Sequence, residues 1–127
     1  MKNPTLWIIV IAVLIIGGSM WWKTNQTNTT TPEPIIPTGI VLYFGDTCPH
    51  CKVVAQFIED NKIKEKVNFQ EKEVYNNQAN AKELSAVAKK CGLATDAIGV
   101  PFLWDGSKCL EGQDQAINFF KDKAGIK

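Results

Sequence analysis

The tetrapeptide Cys48-Pro49-His50-Cys51 separates the apolar run Ile40-Val41-Leu42-Tyr43-Phe44 from a stretch with helical periodicity, and this junction constrains the fold more than any other feature of the chain. A continuous apolar run rich in β-branched and aromatic residues reads as a central strand buried on both faces. Within Cys51 to Asn61, the residues Val53, Val54, Phe57 and Ile58 form one stripe of a helix. Pro49 suits the first turn of that helix, because proline fixes φ and its missing N–H is not needed there. The cysteine pair therefore stands at the carboxyl end of a central strand, where open α/β sheets hold their ligands. Two thiols so spaced can alternate between dithiol and disulfide, and a helix N-terminus favours the thiolate.

Downstream of the pair the pattern continues. Val67 to Val74 alternates weakly and reads as a more exposed strand. Gln78 to Cys91 places Ala81, Leu84, Val87, Ala88 and Cys91 on one helix face, with Gly92 as a stop signal. Pro101 to Trp104 and Ser107 to Leu110 read as two strands joined at Asp105-Gly106, a dipeptide suited to the positive φ values of a tight hairpin. Asp114 then caps a last helix that turns Ala116, Ile117, Phe120 and Ala124 inward. The predicted order is β-α-β-α-β-β-α, with a parallel first pair and an antiparallel hairpin.

With 127 residues the chain has room for one compact domain and a short appendage. Pro4 to Trp22 carries no charge, and as a helix it spans about 28 Å, close to the ~30 Å of membrane hydrocarbon. Trp7, Trp21 and Trp22 stand as interfacial tryptophans do, with Lys2 and Lys23 outside them. Residues 1–23 are therefore expected to anchor the chain in a membrane. Gly17-Gly18-Ser19 also supports the competing reading of a cleaved signal peptide, although the apolar run continues past any cut there. Residues 24–38, rich in Thr, Asn and Pro, read as a tether too polar to bury a core. The lysine count is equal on the two sides of the span, and the free amino terminus favours an N-terminus inside and a domain outside the cytoplasm.

The remaining domain, 39–127, is near neutral, since of 14 basic residues only Lys2 and Lys23 precede it and of 13 acidic residues only Glu33 does. The chain contains no arginine, which removes the bidentate reader of phosphates and guanine edges and argues against nucleic-acid binding.

Three stretches carry a family resemblance: Tyr43-Phe44-Gly45-Asp46-Thr47-Cys48-Pro49-His50-Cys51 after the first strand, Gly99-Val100-Pro101 before the third, and Gly112 with Asp114 before the last helix. Over Gly39 to Lys127 they resemble the thioredoxin superfamily, and in length and element order its smaller glutaredoxin-type members. The resemblance implies an α/β three-layer sandwich and thiol–disulfide exchange without a bound cofactor. It implies further that Cys48 is the nucleophile, that Cys51 is the resolving thiol, and that Pro101 is a cis-proline which, with Val100, lies beside the disulfide and the substrate. Pro-His between the cysteines resembles the oxidising periplasmic members more than the cytosolic reductases. Gly45-Asp46-Thr47 stands where glutaredoxins carry a Lys or Arg for the glutathione carboxylate, and Glu111-Gly112 replaces their Gly-Gly. Both departures put glutathione as the partner in doubt; the expected partners are protein thiols or disulfides and a membrane redox partner.

Each candidate residue also has a plainer reading. Cys48 and Cys51 could form a static disulfide or half of a zinc site, but a zinc site usually shows a second close pair, and Cys91 and Cys109 are far apart in sequence. His50, the only histidine, is placed to tune the Cys48 thiolate along with Pro49, or else simply to face solvent. Cys91 and Cys109 could form a structural disulfide in an oxidising compartment, while Cys91 alone also reads as a small core hydrophobe. Phe102 and Trp104 read as core or hairpin residues. Glu71 and Glu73 could offer Cys51 a proton acceptor, though a solvated strand edge is the simpler reading. The expectation is a membrane-anchored, extracytoplasmic thiol–disulfide oxidoreductase. Its rivals are a cytoplasm-facing glutaredoxin-like reductase, a metal-handling module using Cys48, Cys51 and His50, and a scaffold with an inert disulfide.

Overall fold

Successive side chains of a strand point to opposite faces, and β1 (Val41–Phe44) buries both of its faces in the computed structural model, which describes residues 33–127. Leu42 joins Leu103, Val54, Ile58, Ile63, Ala116 and Phe120 in one apolar cluster. Val41 and Tyr43 join Phe102, Trp104, Leu84, Val87 and Ala88 in the other. The first cluster is closed by α1 (Pro49–Asp60), the short α2 (Ile63–Lys66) and α4 (Gln113–Ala124), the second by α3 (Gln78–Lys90). The result is the three-layer α/β arrangement expected. Phe120 is fully buried, and its truncation to alanine is expected to cost about 3–5 kcal/mol.

The four-stranded sheet runs β2-β1-β3-β4. β2 (Gln70–Glu73) pairs parallel to β1, while β3 (Phe102–Trp104) pairs antiparallel to β1 and β4 (Cys109–Glu111) antiparallel to β3. Tyr43 lies opposite Phe102 and Lys72, and Val41 lies opposite Trp104 and Gln70. The carboxyl end of β1 therefore sits beside the start of β3, where Pro101 precedes Phe102. On the α3 face, the Tyr43 hydroxyl donates to Glu83 Oε1 at 2.7 Å, and Lys72 Nζ bridges both Glu83 oxygens at 2.6 and 2.8 Å. Burial, reinforced by the nearby Glu83 carboxylate, pushes the Tyr43 phenol well above its ordinary range.

Several boundaries differ from the sequence pattern. The first helix does start with Pro49 in its first turn as expected, with Cys48 as its N-cap; the differences lie further along the chain. The second strand is shorter than Val67 to Val74: Val67 follows α2 and Phe69 precedes the strand, and both pack into the core. The hairpin is not a two-residue Asp-Gly turn. Only Gly106 has positive φ, at 98°. Asp105 Oδ1 accepts from the Ser107 and Lys108 N–H groups at 2.7 and 2.6 Å, and the resulting longer turn moves β4 to Cys109–Glu111. Asp114 does not cap the last helix. Gly112 does so without a side-chain bond, and Asp114 sits in the first turn, where its charge favours the helix dipole.

The apolar segment from Pro4 to Trp22, and with it the expected anchor, lies outside the described residues. Among the described residues no helix is long and apolar enough to cross a membrane. The compact unit containing the sheet begins at Pro34. Ile36 packs on the second cluster, and the Trp104 indole donates to the Pro37 carbonyl at 2.8 Å.

Candidate active site

Cys48 leaves β1 through a turn in which its N–H donates to the Gly45 carbonyl at 3.1 Å. Its backbone is extended (φ −76°, ψ 115°) as an N-cap requires, and its sulfur accepts from the Cys51 N–H at 3.1 Å. Pro49 takes the first helical position, as predicted. Cys48 and Cys51 are joined as a disulfide with Cα atoms 5.3 Å apart, and both side chains are nearly buried. A hydrogen bond to a charged acceptor contributes about 1.5–3 kcal/mol, against ~0.3–1 kcal/mol for a helix dipole. The Cys51 N–H is thus the larger stabiliser of a Cys48 thiolate.

The Val100–Pro101 peptide is cis, as the family resemblance implied. It brings the Val100 carbonyl oxygen to 3.4 Å from Cys48 Sγ across 52 residues of sequence. Pro101 is buried, and its carbonyl accepts from the Gly112 N–H at 2.9 Å, which joins the cis segment to the start of α4. Between them runs an open groove lined by His50, Val100, Pro101, Glu111, Gln113 and Asp114 among others. Val100 and Pro101 thus line this groove, with the Val100 carbonyl against Cys48.

The hydrogen bond of His50 is to α4: Nδ1 lies 3.1 Å from Gln113 Oε1. Sequence periodicity held no signal for Gln113, because the contact spans 63 positions and depends on how two helix N-termini meet. Among the described residues no three His, Cys, Asp or Glu side chains converge as metal ligands.

A second hollow adjoins Cys51 on the opposite flank, lined by Leu42, Phe44, Gly45, Asp46, Lys52, Ala55 and Glu71. Glu71 reaches it from the position paired with Leu42, and its carboxylate holds Lys64 Nζ at 2.6 Å. Glu73 turns the other way. Its carboxylate accepts from the Tyr75, Asn76 and Asn77 N–H groups at 2.6, 2.9 and 3.2 Å. Partial desolvation opposes its charge, but these donors and the Asp46 N–H outweigh that effect and hold its carboxyl below the usual range. This loop leans on the active-site turn: Asn76 Nδ2 donates to Asp46 Oδ2 at 3.3 Å, and the Tyr75 ring lies over Gly45, where a Cβ would collide with it. Periodicity did not point to Tyr75 either.

Cys91, the C-cap of α3, is bonded to Cys109 of β4 with Cα atoms 6.2 Å apart, the structural pairing weighed from the sequence. Phe102 and Trp104 are core residues, as expected.

No family model and no curated protein matches the chain. Among solved structures, the crystal structure of a mutant of the thioredoxin-like protein BC3987 is similar to it at 19% sequence identity, covering 72% of this chain and 100% of that chain, with a TM-score of 0.48.

Proposed function

We propose that the protein is a thiol–disulfide oxidoreductase that exchanges disulfides with protein thiols through Cys48 and Cys51. The observation that carries this reading is a disulfide at a helix N-cap whose Cys48 sulfur lies against the carbonyl that precedes cis-Pro101. In the oxidising direction a substrate thiolate attacks Cys48 Sγ. The Cys48–Cys51 bond breaks, Cys51 departs as thiolate and a mixed disulfide remains. A second substrate thiolate then attacks the substrate sulfur of that mixed disulfide and releases Cys48, so two electrons pass from substrate to site and substrate protons end on the two thiols. Reduction of a substrate disulfide is the same sequence reversed, with Cys48 as nucleophile and Cys51 as resolving thiol.

The uncharged run from Pro4 to Trp22 supports a single-pass anchor, with the domain held outside the cytoplasm on the polar tether and the site turned over by a membrane redox partner. Pro-His between the cysteines favours oxidation as the working direction. Carboxylates at Asp46 and Glu111, with no lysine or arginine just before Cys48, favour protein substrates over glutathione.

The test is Cys51→Ala in cells. It should trap mixed disulfides between Cys48 and substrate proteins, and Cys48→Ala should trap none. An empty trap in both would return the pair to an inert structural disulfide. A topology reporter fused after Lys127 should be active outside the cytoplasm, and activity inside would favour the glutaredoxin-like reductase.

A further inference from the structure

We propose that Gln113 is a positioning residue for the redox site: it fixes the orientation and tautomer of His50 and, through that ring, the balance between dithiol and disulfide at Cys48 and Cys51. The proposal rests on the thiol–disulfide reading above.

The two residues meet across the groove from the first turns of α1 and α4, with His50 Nδ1 3.1 Å from Gln113 Oε1. An amide oxygen only accepts, so Nδ1 carries the hydrogen and Nε2 is the atom left to take or give up a proton. Gln113 is held for this task by its backbone. It is the first residue of α4, and the preceding Gly112 donates its N–H to the Pro101 carbonyl at 2.9 Å. The segment that contacts Cys48 and the residue that holds His50 therefore share one anchor. The neighbouring glutamine has a different use, since Gln115 Oε1 accepts from the Glu111 N–H at 3.3 Å.

The carboxylates of Glu111 from β4 and Asp114 from α4 line the same groove as the ring, and Cys48, two residues before His50, adds a negative charge when it ionises. An exposed imidazole on the first helical turn would otherwise sample several rotamers. Held by an acceptor at Nδ1, the ring keeps one orientation whether neutral or doubly protonated, and the protonated ring favours the Cys48 thiolate, which stabilises the reduced site.

The experiment equilibrates the full chain with glutathione as redox buffer, in which protein disulfide and two glutathione thiols give protein dithiol and glutathione disulfide. Gln113→Ala should shift that equilibrium toward the protein disulfide by about three- to tenfold, the effect expected of one lost ordinary hydrogen bond. Gln113→Glu, which keeps an acceptor, should restore it. In a His50→Ala background, Gln113→Ala should change nothing further. Because His50 is the only histidine, nitrogen NMR reads its tautomer without assignment: Nδ1–H in the parent, lost in Gln113→Ala, with circular dichroism unchanged. An equilibrium that moves less than twofold, or an Nε2–H tautomer in the parent, overturns the proposal and leaves the oxidoreductase reading standing. A parent protein that exchanges no disulfide at all overturns both.

Discussion

The backbone N–H of Cys51 points at the sulfur of Cys48 from 3.1 Å, so the first cysteine is served by the helix that the second one helps to build. The relationship is asymmetric, and the two thiols should differ in reactivity. After gentle reduction, iodoacetamide near neutral pH should alkylate Cys48 at least about tenfold faster than Cys51, the ratio expected when one charged hydrogen bond favours one thiolate. Peptide mapping by mass spectrometry measures the ratio, and equal labelling would contradict the assignment of Cys48 as nucleophile.

Cys91 and Cys109 tie the C-terminus of α3 to the edge strand β4, closing a loop 18 residues apart in sequence. Cross-links of this size typically contribute about 2–4 kcal/mol. The double variant Cys91→Ala, Cys109→Ala should therefore unfold in urea at a clearly lower midpoint with an intact Cys48–Cys51 pair. An unchanged midpoint would mean that the bond adds nothing to stability.

Gly45 is required by its neighbour more than by its own backbone. A methyl group there meets the Tyr75 ring, so Gly45→Ala should destabilise the domain by about 1 kcal/mol, the lower end of overpacking costs because the ring is exposed and can swing outward. Tyr75→Ala should make the glycine replaceable. A double-mutant cycle in chemical denaturation should give a coupling of at least about 0.5 kcal/mol, and strict additivity would deny the contact.

The loop after β2 should respond to acid through Glu73. Despite partial desolvation, the N–H groups it accepts from hold its folded carboxyl below the ordinary carboxylate range, so its contribution is present above the unfolded value and is lost as pH falls through the folded one. Protection factors of the Tyr75, Asn76 and Asn77 amides should stay constant from neutral pH down to about pH 5, then fall progressively as the pH drops further. Glu73→Gln should lower them near neutral pH and flatten the fall in acid. A loss beginning near pH 6 would point to another group.

The elements that came through from sequence to structure are those whose signal is local. The run Val41 to Phe44 had to be a buried strand because apolar residues fill both of its faces, and Cys48-Pro49 had to open a helix because a proline suits only its first turn. The α3 stripe of Leu84, Val87 and Ala88 likewise reappears as the wall of the second cluster. Local chemistry also misled. Asp105 and Asp114 are both good turn or cap residues, yet Asp105 spends its carboxylate on the two N–H groups beyond it and Gly112 takes the cap. No pattern announced α2, because four residues are too few to show a helical period.

By itself, then, the sequence determined the order of the longer elements, the paired cysteines and their seat on a helix N-terminus, since all of these follow from periodicity and from the backbone limits of proline. Tertiary structure decided what surrounds the pair: the Val100 carbonyl against Cys48, Gln113 against His50, Tyr75 over Gly45, and the joining of Cys91 to Cys109. The physical reason is separation. Those partners lie between 18 and 63 residues apart in the chain, and only the packing of helices on both faces of one sheet brings them within a hydrogen bond or a covalent bond of each other.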